Sequence, residues 1–176
     1  MTEYSKKDLM NQPWVSQDGK GNVVILPQKL YAYLKKEASI KVTDQGNVYI
    51  FNGKCYRPLS TQDLKAIIKA HIPLLLRNRK HWEAVYEEFK TDFADVKEVE
   101  FDTQEDIVAF ENGVLNLRTG KLEEHDPKYN ITRVVHANYK KELTLADAPL
   151  FQKFLNDLVG NTDSTQDFLL SYIGAI

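Results

Sequence analysis

The sequence holds one cysteine, Cys55, in 176 residues. That excludes an internal disulfide and fits a reducing, cytoplasmic setting. Basic charge is not in excess either. The 23 Lys and Arg stand against 25 Asp and Glu, a formal net charge of -2. Such a balance argues against a surface that grips nucleic acid over its whole area, while leaving room for a local basic patch. No apolar run approaches the roughly 20 residues that span a bilayer, so no membrane partner is expected. Residues 1–9 also lack the apolar centre of a signal peptide. The four histidines, His71, His81, His125 and His136, are dispersed, whereas a zinc site needs about four clustered ligands. No glycine-rich loop ends in Gly-Lys-Ser/Thr. Gly19-Lys20, Gly53-Lys54 and Gly120-Lys121 lack the spacing or the hydroxyl that would wrap phosphates and hold magnesium. The expectation is a chain with no complete catalytic set, no metal and no cofactor of its own.

What is present is hydrophobic patterning. Residues 1–22 are mostly polar, with Pro13, Gly19 and Gly21, and read as a flexible leader in which Trp14 is the one large apolar anchor. Leu26, Leu30, Tyr33 and Leu34 recur at helical steps, with Pro27 suited to a first turn. Strands follow over residues 40–43, 48–51 and 54–57, punctuated by Gly46-Asn47 and by Asn52-Gly53, a hairpin signal. Pro58 ends the last of them. Ser60 and Asp63 then open a helix carrying Leu64, Ile67, Ile68, His71 and Ile72 on one face. Pro73 separates it from a helix starting near Arg79, with Trp82, Val85, Tyr86, Phe89 and Phe93 as its stripe.

The second half repeats that order. Residues 98–102, 107–110, 114–117 and 121–123 read as a meander turned by Asn112-Gly113 and Thr119-Gly120, and 131–135 is a candidate strand. Asp147 is placed to cap a helix with Leu150, Phe151, Phe154, Leu155 and Leu158, and Gly160 to end it. A last segment puts Phe168, Leu169, Tyr172 and Ile173 on one face. Its apolar end, residues 169–176, reads as a chain that continues. Runs of strands followed by runs of helices indicate an α+β fold of small antiparallel meanders and hairpins packed with amphipathic helices. The boundaries read as a leader over 1–22, a first subdomain over 23–95 and a second over 96–176.

Candidate chemistry is sparse. Glu98, Glu100 and Asp102 alternate along a predicted strand, as carboxylates holding two metal ions would, and as any half-exposed strand does. Cys55 lies among aromatics, where a thiol is ordinarily buried and inert. His71 continues an apolar stripe and reads as a satisfied, partly buried side chain. The better lead is cationic. Arg77, Arg79 and Lys80 crowd one short turn before a helix, and Arg133, Lys140 and Lys141 form a further patch. Such groups hold phosphates, and few are needed when many copies act together. The same residues suit a solvated surface, which the balanced charge favours. Tyr31, Tyr33, Tyr49 and Tyr56 can stack on bases, although their spacing fits core-edge packing better.

The stretch Ile107-Val108-Ala109-Phe110-Glu111-Asn112-Gly113-Val114-Leu115-Asn116-Leu117, with Thr119-Gly120 after it, resembles a family signature. Asn138-Tyr139, the helix around Phe151-Gln152-Lys153-Phe154-Leu155 and the segment Asp167-Phe168-Leu169-Leu170-Ser171-Tyr172 follow in matching order. Together they are similar to the domain that precedes the superfamily-three helicase motor in phage, plasmid and poxvirus primase-helicases. The resemblance implies a role in DNA replication, DNA as a weakly held partner, self-association in a ring and contact with other replication proteins. It also implies that ATP and magnesium belong to a motor outside this sequence, and that the primase centre of many relatives lies outside it too.

Overall fold

The structure is a computed structural model that describes residues 10–91, 99–160 and 163–174. It is an α+β fold, with three small antiparallel sheets and five α-helices among the described residues. Contacts divide the chain into two units, Met1–Asn138 and Tyr139–Ile176. The sequence pattern puts a boundary near residue 95, whereas these contacts put it after Asn138.

The first unit begins where a leader is expected. Strand β1 (Val15–Gln17) pairs antiparallel with β2 (Val23–Ile25). The connecting loop closes on Asp18, whose carboxylate accepts from the backbone of Lys20 and Asn22 and from the Asn22 side chain. Trp14 is buried at 4% exposure, its ring 4.3 Å from that of Tyr33. Trp14 and Val15 therefore anchor an otherwise mostly exposed segment 10–22 to the core, because a side chain as large as indole recovers several kcal/mol when it leaves water.

Helix α1 (Pro27–Glu37) starts with its proline at the first position, where no N–H is needed, and buries Leu30 and Leu34. Next come β3 (Ile40–Val42), β4 (Val48–Phe51) and β5 (Tyr56–Pro58), in that order across one sheet. The β4–β5 connection is longer than the two-residue Asn52-Gly53 turn expected from sequence. The Asn52 side chain accepts from the backbone N–H of both Lys54 and Cys55, each at 3.0 Å, so pairing resumes only at Tyr56. Pro58, read as the strand's stop, is its last paired residue, opposite Tyr49.

Helices α2 (Thr61–His71) and α3 (Arg79–Thr91) follow. Ser60 caps α2, accepting from the backbone N–H of Asp63 at 3.1 Å. Leu64, Ile68, Val85 and Phe89 join Trp14, Leu30, Leu34 and Ile40 in one core. Phe93, read as part of the α3 stripe, lies outside the described residues.

The second sheet of three is β6 (Ile107–Phe110), β7 (Gly113–Asn116) and β8 (Lys121–Glu123). Its first turn is Glu111-Asn112, one residue earlier than Asn112-Gly113, since Phe110 pairs with Gly113. Gly113 has φ +150° and packs so closely that an added Cβ would lie 2.5 Å from the Glu123 carbonyl oxygen. The expected strand over 98–102 is not formed at 99–102, and Glu98 lies outside the described residues. Residues 131–135 contribute only a parallel bridge, Phe110 to Val135. A backbone hydrogen bond of 2.7 Å from Tyr56 to Ile131 joins this half to the first, and Phe101 packs on Tyr49 and Tyr56.

The second unit holds a short 3-10 turn, Leu145–Asp147, and helices α4 (Pro149–Val159) and α5 (Asp163–Gly174). Asp147, expected to cap α4, instead accepts from the Thr144 backbone N–H at 2.8 Å and from the Thr144 hydroxyl at 2.9 Å, closing the short turn before α4. Its carboxyl is held below the ordinary range by the Thr144 backbone bond and then by the Thr144 hydroxyl. Gly160 ends α4 with φ +75°. Gln166 of α5 is buried and donates to the Asn156 side chain at 2.7 Å and the Gly160 carbonyl at 2.8 Å. No helix among the described residues is long and apolar enough to cross a membrane.

Replacing Trp14 with Ala is expected to lower unfolding stability by about 3–5 kcal/mol. Urea denaturation checks this. An unchanged midpoint would place residues 10–17 outside the cooperative unit.

Candidate nucleic-acid interface

The α2–α3 junction is built by Pro73 and the 3-10 turn Leu74–Leu76. Arg77 folds back over it, donating from Nε and Nη2 to the Ile72 carbonyl at 3.2 and 3.1 Å. Asn78 starts α3, its side-chain oxygen accepting from the His81 N–H at 3.0 Å. His81 Nδ1 lies 2.6 Å from the Leu76 carbonyl oxygen and 3.2 Å from the Asn78 side-chain nitrogen. Arg79 donates to Glu83 one turn on at 2.7 Å, and that bond, then the Glu83 charge, holds its guanidinium above the ordinary value.

The compact run of cations is thus divided by its own local chemistry. Arg77 serves a helix end, Arg79 an ion pair, and His81 a turn. Lys80 is exposed with no carboxylate partner among the described residues. The first turn of α3 carries no acidic residue, so Lys80 stands at a positive helix end without local neutralisation.

Arg133 lies on the segment packed beside β6, bordering a cleft of about 250 Å³ with Asp102, Tyr129 and Ile131. Lys140 and Lys141 belong to the second unit. All three side chains are exposed and lack a carboxylate partner among the described residues.

Two helix faces that the linear pattern passes over bring further charge together. Lys65 and Lys69 of α2 stand over Trp82 and Tyr86 of α3, with Nζ to ring-centre distances of 4.4 Å (Lys65–Tyr86) and 4.2 Å (Lys69–Trp82). From sequence, Trp82 and Tyr86 read as core. In the structure Val85 and Phe89 of the same stripe are buried, and the two rings pack half-buried against that core at its rim. The signal that could have found this face is the four-residue spacing of Lys65 and Lys69, one helix position away from buried Leu64 and Ile68.

The four tyrosines considered for stacking are engaged within the protein. Tyr31 packs on Phe89 at 4.7 Å, Tyr33 on Trp14, and Tyr49 on Phe101. Tyr56 is buried, and burial followed by the Asp126 carboxylate pushes its hydroxyl up to about 12.

The acidic candidates are also committed elsewhere. Asp102 sits at φ +56° and accepts from the Thr132 backbone N–H at 2.8 Å and from the Thr132 hydroxyl. It ties the chain before β6 to the segment after β8, and no strand aligns it with Glu100. Among the described residues no group of three His, Cys, Asp or Glu is placed to hold a metal ion. Cys55 is buried, and His71 Nδ1 meets the Ile67 carbonyl at 2.9 Å.

One further polar cluster borders a cleft of about 290 Å³ with Asn52 and Arg57. There Glu111, in the β6–β7 turn, accepts from Lys54 and lies 2.9 Å from His136 Nδ1. The Lys54 bond first, and His136 second, hold the Glu111 carboxyl below its ordinary value.

The chain matches the family described as D5 N terminal like over residues 10–160. It belongs to that family, the N-terminal domain of phage, plasmid and poxvirus D5-type primase-helicases, in agreement with the resemblance carried by its Asn112-Gly113-Val114-Leu115 segment. The comparison with curated proteins finds no match.

Glu111 yields a test of the cluster. Its depressed value means that the tie stabilises the fold above pH 4.5, and that this contribution is lost as pH falls through the folded-state value. Carbon-detected NMR titration of Lys54→Met is expected to move Glu111 up toward 4.5, with a smaller rise in His136→Ala. No movement in either variant would remove the tie.

Proposed function

We propose that the chain is a non-catalytic accessory domain of a DNA primase-helicase, acting in replication through subunit assembly and DNA guidance. Membership of the D5 N terminal like family over residues 10–160 carries this reading. The physical role is geometric. Lys80, at the positive end of α3, together with Arg133, Lys140 and Lys141, offers exposed cations not spent on carboxylates among the described residues. Arg77 and Arg79 contribute less directly, by holding the turn and pairing with Glu83. ATP and magnesium serve the motor of the whole protein, and self-association into a ring multiplies contacts that are weak singly.

A second reading, a protein-interaction module that does not bind DNA, draws on the helices of the second unit. Leu150, Leu158 and Phe168 there are 84%, 58% and 72% exposed. Large apolar side chains left in water are a common mark of a surface that meets another protein.

Fluorescence anisotropy with labelled single- and double-stranded DNA, titrated across salt, separates the two. The accessory-domain reading expects low-salt binding that falls steeply as salt rises. It also expects Lys80→Glu and Arg133→Glu each to reduce the logarithmic salt slope by about one. No binding of either DNA at low salt would overturn DNA guidance and leave the interaction module.

A further inference from the structure

Helices α2 and α3 pack through Leu64, Ile68, Val85 and Phe89, and beside this core both reach the surface. On α2, Lys65 and Lys69 lie four residues apart, which sets their Cβ atoms roughly 6 Å from each other. On α3, Trp82, Tyr86 and Lys90 repeat the same spacing. Lys65 Nζ reaches both rings, at 4.4 Å from Tyr86 and 5.7 Å from Trp82, and Lys90 closes the far side at 5.5 Å from Tyr86. Neither Lys65 nor Lys69 has a carboxylate partner among the described residues. The neighbouring acids of α3 are already paired, Glu83 with Arg79 and Glu87 with Lys90. Beside Tyr86 and Lys90 opens a cleft of about 180 Å³, walled on its other sides by Gly46, Asn47 and Thr61 among others.

Aromatic rings ringed by long, mobile ammonium groups, beside a cleft with polar walls, meet both needs of an unpaired nucleic-acid strand. Bases stack on the rings, and phosphates draw the lysines off them. A duplex keeps its base faces stacked inside and can use only the lysines. We propose that this face holds a short single strand, with a base against Tyr86 at the cleft and phosphates on Lys65 and Lys69. The proposal rests on the DNA-guiding reading and specifies its surface and strand form.

Tryptophan fluorescence tests it, because the chain has two tryptophans and Trp14 is 4% exposed. Adding a short oligodeoxythymidylate at low salt is expected to quench emission, and Trp82→Phe is expected to abolish the quench while anisotropy still reports binding. Lys65→Gln with Lys69→Gln, two surface changes that leave the core intact, is expected to reduce the logarithmic salt slope by about 1.4. Tyr86→Ala, with its fold checked by circular dichroism, is expected to weaken binding about tenfold. Wild-type binding that the double lysine variant leaves unchanged would overturn this surface while leaving the DNA-guiding reading standing. Equal competition by inorganic polyphosphate would remove the rings from the interaction, and duplex binding as tight as single-strand binding would overturn the strand preference. If the wild-type chain binds no nucleic acid, the broader reading fails with it.

Discussion

Tyr56 is where the first unit is tied together. Its N–H donates to the Ile131 carbonyl at 2.7 Å, its side chain is 1% exposed, and its ring lies 5.2 Å from Phe101. The constraint behind this is the size of the sheets. Three strands of three or four residues bury little area alone, and the edge of such a sheet presents backbone groups that need partners. Residues 99–138 supply those partners for the β3–β4–β5 sheet. Asn130, at φ +52°, accepts from Lys41, whose ammonium also stands 4.9 Å from the Tyr56 ring, while its amide donates to the Glu100 carbonyl at 3.2 Å. Partial burial lowers the Lys41 pKa.

That junction explains why a boundary near 95 looks natural in the sequence and is absent from the contacts. Local periodicity reports which face of an element is apolar, and says nothing about which distant residue meets it. The strands-then-helices order is visible twice, so the chain looks like two similar halves. The bond from Tyr56 to Ile131 spans far more chain than any periodic window. Within elements, by contrast, the pattern was highly legible. Leu30 with Leu34, Leu64 with Ile68, and Val85 with Phe89 are the buried pairs that helical spacing picks out. Ser60 caps α2 as its spacing to Asp63 suggests. Trp14 is the anchor its size suggests, and a single indole ties down a segment whose polar composition reads as a flexible leader.

The candidate site was legible only in part, for a related reason. A run such as Arg77-Asn78-Arg79-Lys80-His81 concentrates charge along the chain, yet a helix-to-helix turn has carbonyls to satisfy and a carboxylate one turn away. Arg77, Arg79 and His81 are drawn to those near partners, and Lys80 alone points free of them. Lys65 and Lys69 are distant in sequence from Trp82 and Tyr86 and become neighbours only when α2 packs on α3. Charge that matters at a surface is set by what remains after local pairing, which a count along the chain does not measure. The alternating acids fail the same way: Asp102 is consumed by Thr132, and its positive φ breaks the strand that would have aligned it with Glu100.

The proposed strand-holding face uses two lysines, Lys65 and Lys69, and that number bears on what kind of DNA contact it would make. Each phosphate held by one exposed lysine releases about one counterion and is readily weakened by salt. Two or three such contacts, with stacking on one or two rings, give a hold that forms and breaks quickly. That suits a surface over which a strand must move and would be inadequate for one that must anchor it. In a ring, each subunit would present the same face, and a strand released by one would meet the next at high local concentration. Tighter binding by a single copy would oppose movement, so the net charge of -2 and a face with two lysines unpaired among the described residues belong to the same physical argument as the proposed guiding role.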